Sequence, residues 1–279
     1  MRKACAFLLS IFILFWAVSA KASFYGTSAW ATVQIDEKSN EQMDEHEASA
    51  SIITGNYNYA EAEAGAWLYH LKGVGYTDIP KKAVAYSSGE SEFWDTYTVM
   101  APEGVESVRI GMRIKLNGIL QGEGYDDNDM WDSGFDVYVC LNGGIPLYDA
   151  YAGLSQNDFY AYSSSGNLDT EDFTPVMNGY ELSDFTDIIY FFVEPGEFWI
   201  DYFLYANVFI GDLWEEVSGT GWAVSDFYNS ANFEIFPADP NIISLNSESG
   251  QGVVPIPSTL LLLGSGLVGV LAIRKSIGI

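Results

Sequence analysis

Glu106-Ser107-Val108-Arg109-Ile110-Gly111-Met112-Arg113-Ile114-Lys115-Leu116-Asn117 decides the fold. Val108, Ile110, Met112, Ile114 and Leu116 take every second position. Arg109, Gly111, Arg113 and Lys115 take the alternate ones. A period of two over this length puts the two sets on opposite faces of an extended chain, whereas a helix would scatter them around its axis. The stretch predicts a strand with one face on a core and the other in water.

The same pattern recurs on both sides. Ser28–Ile35 sets Ala29, Ala31, Val33 and Ile35 against Ser28, Trp30, Thr32 and Gln34. Ser49–Tyr59 reads as a strand; Glu61–Leu71 is compatible with a helix, but Ala62, Ala64, Ala66 and Leu68 also fit a strand pattern, the reading favoured by its neighbours. Phe135–Leu141 alternates and is followed by the turn residues Asn142-Gly143-Gly144. Ile188–Val193 and Phe198–Ile210 flank Glu194-Pro195-Gly196-Glu197, whose chemistry predicts a hairpin. Trp222–Phe227 and Asn232–Phe236 read as a second pair, and Ile242–Leu245 as a last short strand. The polar stretch 36–47 reads as a loop or a helical turn, 118–134 as a loop, and 149–186 as long loops with short strands. Roughly ten to twelve strands with glycine and proline turns, and no long helical pattern, predict an all-β fold. The expected architecture is an antiparallel β-sandwich, jelly-roll-like, with long acidic loops. The 18 tyrosines, 17 phenylalanines and 27 glycines agree, since aromatics favour strands and glycine favours turns.

The two ends differ from this body. Met1-Arg2-Lys3 precedes an apolar run, Ala4–Val18, and then the small residues Ser19-Ala20-Lys21-Ala22. That order is the signature of a secretory signal peptide over residues 1–20, cut by signal peptidase after Ala20 or Ala22. At the other end Pro255-Ile256-Pro257 leads into an uncharged span, Leu260–Ile273, closed by Arg274-Lys275. As a helix the span would rise about 21 Å, short of the roughly 30 Å hydrocarbon core of a bilayer. The basic pair favours the cytoplasmic side, and Gly264, Gly266 and Gly269 would let a partner helix approach closely.

This tail resembles the PEP-CTERM sorting signal of Gram-negative bacteria. Pro255 and Pro257 occupy the two proline positions, Gly264-Ser265-Gly266 the mid-span run, and Arg274-Lys275 the basic end. Ile256 stands where the commonest form has Glu, so Val254-Pro255-Ile256-Pro257 is similar to the Val-Pro-Ile/Leu-Pro variant of related systems. The resemblance covers residues 255–279 of the 279. It implies export, a transient stay in the inner membrane, and cutting by an exosortase-like membrane protease. It also implies an outer-surface or extracellular destination, often in bacteria that make extracellular polysaccharide. The expected organisation is a signal peptide (1–20), one β-sandwich domain (23–246), a linker (247–254) and a sorting signal with a short transmembrane span (255–279).

All 38 acidic residues lie between the two ends, with only eight of the 12 basic ones, so this body carries about −30. Such a charge excludes nucleic acid as a partner by repulsion. Cys140 is the one cysteine outside the signal peptide and cannot form an intrachain disulfide there; its strand places it opposite the apolar face, beside Tyr138. Glu123, Asp126, Asp127, Asn128, Asp129 and Asp132 offer the hard oxygens calcium requires, without the spacing of an EF-hand. Asp126, Asp127, Asn128, Asp129 and Asp132 are the candidate calcium ligands, and calcium is the one cofactor these residues suggest. Trp94, Trp131 and Trp214 are candidate stacking residues for a sugar. Glu194, Glu197 and Asp201 offer carboxylates of the kind glycoside hydrolysis uses, although Glu194 and Glu197 flank a turn. His46 and His70, the only histidines, lack the spacing of a zinc site or a catalytic triad. The expectation is a non-enzymatic envelope or extracellular-matrix protein. The alternatives are a carbohydrate-binding module, with or without calcium, and, behind it, a secreted glycoside hydrolase.

Overall fold

The structure is a computed structural model and describes residues 25–54, 58–67, 70–125, 130–211 and 219–250. Strands β1 (Gly26–Ile35), β2 (Lys38–Asp44), β3 (Glu47–Ile53), β4 (Tyr59–Trp67) and β5 (His70–Ala83) come first. β6 (Ala85–Met100), β7 (Val108–Gly124), β8 (Trp131–Leu141), β9 (Ile145–Ser155) and β10 (Phe159–Ser163) follow. Beyond a single 3₁₀ turn at Thr170–Asp172 lie β11 (Phe173–Val176), β12 (Gly179–Val193), β13 (Gly196–Ile210), β14 (Gly219–Pro237) and β15 (Ser244–Ser247).

The strands make two antiparallel sheets. Sheet A has the order β10-β9-β8-β13-β6-β1-β2, with β15 also on β6; sheet B has the order β11-β12-β7-β14-β5-β4-β3. The sheets pack face to face, so that β6 lies over β5, β13 over β14, β8 over β7 and β9 over β12. Within this stack, β5-β14-β7-β12 faces β6-β13-β8-β9, the strand order of an eight-stranded jelly roll. β1 to β4 widen both sheets on one side, while β10 and β11 widen them on the other. The expected sandwich is present.

The alternation that predicted it is visible in burial. Val108, Ile110, Met112, Ile114 and Leu116 are all fully buried between the sheets, as are Ala29, Ala31, Val33 and Ile35. The middle of the core is aromatic: Phe93 stacks on Tyr202 with ring centroids 4.1 Å apart, and Phe233 closes on both. Towards β4 the core thins to Ala60, Ala62, Ala64 and Ala66. There the backbones of Gly73 and Gly89 come so close that a Cβ on Gly73 would lie 2.8 Å from the Gly89 carbonyl oxygen.

Several connections differ from the sequence expectation. β12 and β13 are not a hairpin. β12 pairs with β7 and β11, whereas β13 pairs with β6 and β8, so Glu194-Pro195 carries the chain from one sheet to the other. Turn chemistry encodes a reversal, but it does not encode whether the two arms share a sheet. Trp222–Phe236 is one strand, β14, with an irregularity between Phe227 and Ala231, rather than two strands. The stretch 36–47 is mostly strand β2, entered through Asp36 at φ 49°. Residues 118–124 extend β7, and much of 149–186 is strand. These segments looked like loops because polar residues or glycine stand on both sets of alternate positions, as with Asn40 and Gln42 beside Glu41 on β2 and Gly118 and Gly122 beside Gln121 and Glu123 on β7, which blurs a period of two. The Asn142-Gly143 turn is as expected, with both residues at positive φ and β8 paired to β9 across it.

After β15 the chain stays docked: the Glu248 amide donates to the Thr96 carbonyl at 2.8 Å, and Ser249 Oγ donates to Asp95 at 2.5 Å. Among the described residues no helix is long and apolar enough to cross a membrane. The signal segment 1–20 and the sorting segment 255–279, with its span Leu260–Ile273, lie outside the described residues.

Candidate functional site

Strand pairing fixes what shares the outward face of sheet A, because directly opposed residues point to the same side. Trp30 stands opposite Met43 on β2 and Glu90 on β6. Glu90 stands opposite Tyr205 on β13, Tyr205 opposite Asp136 on β8, Asp136 opposite Tyr151 on β9, and Tyr151 opposite Tyr162 on β10. One row therefore crosses seven strands as Met43, Trp30, Glu90, Tyr205, Asp136, Tyr151, Tyr162. Rings and carboxylates alternate through its centre. With strands about 4.8 Å apart, Trp30, Tyr205 and Tyr151 recur roughly every 10 Å.

The flanking rows have similar chemistry. Glu92 lies between Ser28 and Phe203, and accepts a hydrogen bond from Ser28 Oγ at 3.0 Å. Asp201 lies beside Trp94, and Asp132 beside Phe209. Tyr205 and Tyr86 join through their hydroxyls, Tyr86 packs 4.7 Å from Phe209, and Tyr151 lies 5.5 Å from Tyr162. Two clefts of about 300 Å³ lie on this face and share Tyr205 as a wall. Trp30, Thr32, Glu41, Glu90 and Phe203 help to line the first; Asp132, Asp136, Tyr151, Tyr160 and Asn207 help to line the second.

The electrostatics are one-sided. Among the described outward strand positions of sheet A there is no Lys, Arg or His. Burial raises Glu90 above the usual carboxylate range and Glu41 adds to it, against an opposing contact from Ser88. Burial also raises Glu92, with Ser28 opposing and Asp201 adding, and it raises Asp201 itself. Burial alone carries Asp132 to about 6. Asp136 reaches about 6 through burial and the charge of Asp149, although its open side lets water screen part of the effect. Ser88, on the same face, is fully buried. Its Oγ has no partner at hydrogen-bonding geometry, although Tyr86, Glu90 and Tyr205 surround it.

Sheet B, in contrast, carries cations on its outward face. Arg113 and Lys115 both pair with Glu234, and the Arg109 guanidinium lies 5.0 Å over the Tyr190 ring. Glu234, against the desolvating effect of its partial burial, is held below its usual range by Arg113 and Lys115.

The residues singled out from sequence are dispersed. Asp126, Asp127, Asn128 and Asp129 lie outside the described residues, as does Trp214. Asp132 faces outward on β8, and among the described residues no group of three or more His, Cys, Asp or Glu side chains is placed to hold a metal. Trp131 is no platform: it is 8% exposed, and its ring covers Gly122 where a Cβ would overlap it. Trp94 lies over Gly26 in a separate cleft of about 650 Å³, with Tyr25, Thr27, Glu45, His46 and Trp67. There Thr27 Oγ1 donates to the Glu45 carbonyl at 2.6 Å and lies 2.9 Å from His46 Nδ1. His70 instead meets Asn232, at 3.0 Å. Glu194 and Glu197 are exposed at the crossover between sheets. Cys140 is a free, buried thiol, raised by its burial with Tyr138 opposing.

Sequence reasoning missed Trp30, Glu90, Tyr205, Asp136, Tyr151 and Tyr162 as a set. The outward position of Trp30 opposite Ala29 and Ala31 was legible, as was the shared face of Trp199, Asp201, Phe203 and Tyr205. What was not legible is which strands adjoin, since the row joins residues up to 175 positions apart. Compared with known protein families, curated proteins and solved structures, the chain matches none.

Proposed function

We propose that this chain is an exported, non-enzymatic envelope or extracellular-matrix protein that holds polysaccharide on the outward face of sheet A. The observation that carries the reading is the row Trp30, Glu90, Tyr205, Asp136, Tyr151. Aromatic faces suit the C–H faces of pyranose rings, being apolar bodies with polar edges. Carboxylates between them accept hydrogen bonds from sugar hydroxyls, and charged acceptors make the stronger bonds. A ring every second strand matches the length of a disaccharide unit, so one linear chain would lie across the strands over several rings. Export rests on the signal-like segment 1–20. Transient anchoring and cutting by an exosortase-like protease rest on the resemblance of residues 255–279 to the sorting signal.

Affinity electrophoresis of the full chain through gels containing soluble polysaccharides tests the binding. Trp30→Ala and Tyr205→Ala should each weaken retardation by about tenfold in apparent affinity, about 1.4 kcal/mol. Tyr190→Ala, on the opposite sheet, should leave it unchanged. Equal retardation of all three variants would remove sheet A from the reading. Intact-mass measurement of the protein from its host tests the sorting: a mature species still ending at Ile279 would show an ordinary anchor.

A further inference from the structure

Resting on the polysaccharide reading, we infer that the chain bound on sheet A carries free amino groups, so that ammonium groups meet Glu90 and Asp136 while sugar rings stack on Trp30, Tyr205 and Tyr151. The argument begins with what the face lacks. Glu41, Glu90, Glu92, Asp132, Asp136, Asp149 and Asp201 point outward from sheet A, and none meets a cationic side chain among the described outward positions of that sheet. On sheet B, by contrast, Glu234 holds both Arg113 and Lys115. The cations are therefore gathered where the row is not.

A neutral ligand covering Glu90 would complete its desolvation and return only hydrogen bonds, and burying an uncompensated charge is expensive. An anionic ligand would add repulsion. A ligand bearing ammonium groups supplies the missing charge, and beside Trp30 and Tyr205 it adds cation–π attraction. The order of the row fits the same chemistry. Ring, carboxylate, ring, carboxylate, ring is the complement of a polymer that presents a pyranose face and then a positive charge in each repeat. A further observation points to a ligand here: the clefts on either side of Tyr205 give the row depth.

Isothermal titration of the full chain tests this, in polyoxyethylene detergent if the tail is retained, at a pH where the amines are protonated. The probes are glucosamine oligomers, N-acetylglucosamine oligomers and cello-oligosaccharides of one length. The expected result is at least about a tenfold preference for the glucosamine oligomer at about 0.05 M salt, fading towards parity at about 0.5 M. The double variant Glu90→Gln, Asp136→Asn, which keeps side-chain shape, should bring the ratio between the amino and acetylated oligomers close to one. Equal or tighter binding of a neutral oligomer would overturn the amine inference and leave the polysaccharide reading standing. Failure of all three oligomers to bind would count against that reading itself. An amine preference unchanged in the double variant would also overturn the inference, tracing the attraction to the overall charge of −26 rather than to this row.

Discussion

Gly89 sits on β6 where the two sheets nearly touch, and a Cβ there would overlap the carbonyl oxygen of Glu63 and crowd the Val74 amide. Both neighbours are backbone, so no side chain can swing aside. We expect Gly89→Ala to lower stability by about 3 kcal/mol or more, read as a fall in the urea midpoint with little change in slope. A wild-type midpoint would mean that the sheets are further apart at this position. Asp187 shows the other use of a single residue. It is buried, and its carboxylate accepts from the Asn167 amide at 2.7 Å, the Asn167 side chain at 2.9 Å and the Ile188 amide at 2.9 Å. One charged acceptor thereby ties the loop 163–168 to β12. Neither role was legible in the sequence, because both depend on partners more than 14 residues away.

At the scale of elements, the crossover between β12 and β13 is the clearest divergence between pattern and structure. Ile189, Phe191 and Val193 are buried on β12, and Phe198, Ile200 and Tyr202 on β13, so each strand offers an apolar face. Two such strands can lie side by side in one sheet or face each other across a core, and both arrangements bury the same residues. Gly196 marks the crossover with φ 138°, a conformation that side chains rarely adopt. Gly196→Ala should therefore cost about 1–3 kcal/mol, although nothing lies within 4 Å of the added methyl. A thermal midpoint equal to wild type would show that the crossover tolerates an ordinary backbone. The strands themselves were legible wherever outward residues contrast with inward ones, as on β1 and β7. They were hidden where polar residues occupy both faces, as on β2.

For the whole molecule, the uncompensated carboxylates of sheet A set the response to pH. Asp132 and Asp136 are each pushed up to about 6, and Glu90, Glu92 and Asp201 are also raised. A raised folded-state value means that these groups bind protons more tightly in the folded chain than in the unfolded one. Their ionisation opposes folding, so stability should rise as pH falls from about 8 towards 5 and these groups become neutral. Below the ordinary carboxylate range that gain ends, and protonation of Glu234 removes its pairing with Arg113 and Lys115. The thermal midpoint should therefore peak on the acidic side of neutrality. In Asp132→Asn the rise between pH 8 and 5 should shrink, with a gain of about 1–2 kcal/mol at the higher pH after allowance for screening. A midpoint falling steadily from pH 8 to 5 would contradict the desolvated-carboxylate account. The sequence alone determined that the body is all-β, because a period of two is a local property that any strand with one buried face must write into the chain. It also determined the net acidity, and through its ends the expectation of export. Only the tertiary structure decided which strands adjoin, hence that Trp30, Glu90, Tyr205, Asp136 and Tyr151 form one row while Trp131 is buried in the core. Neighbourhood in a sheet is fixed by packing between segments distant in sequence, and no local pattern carries that information.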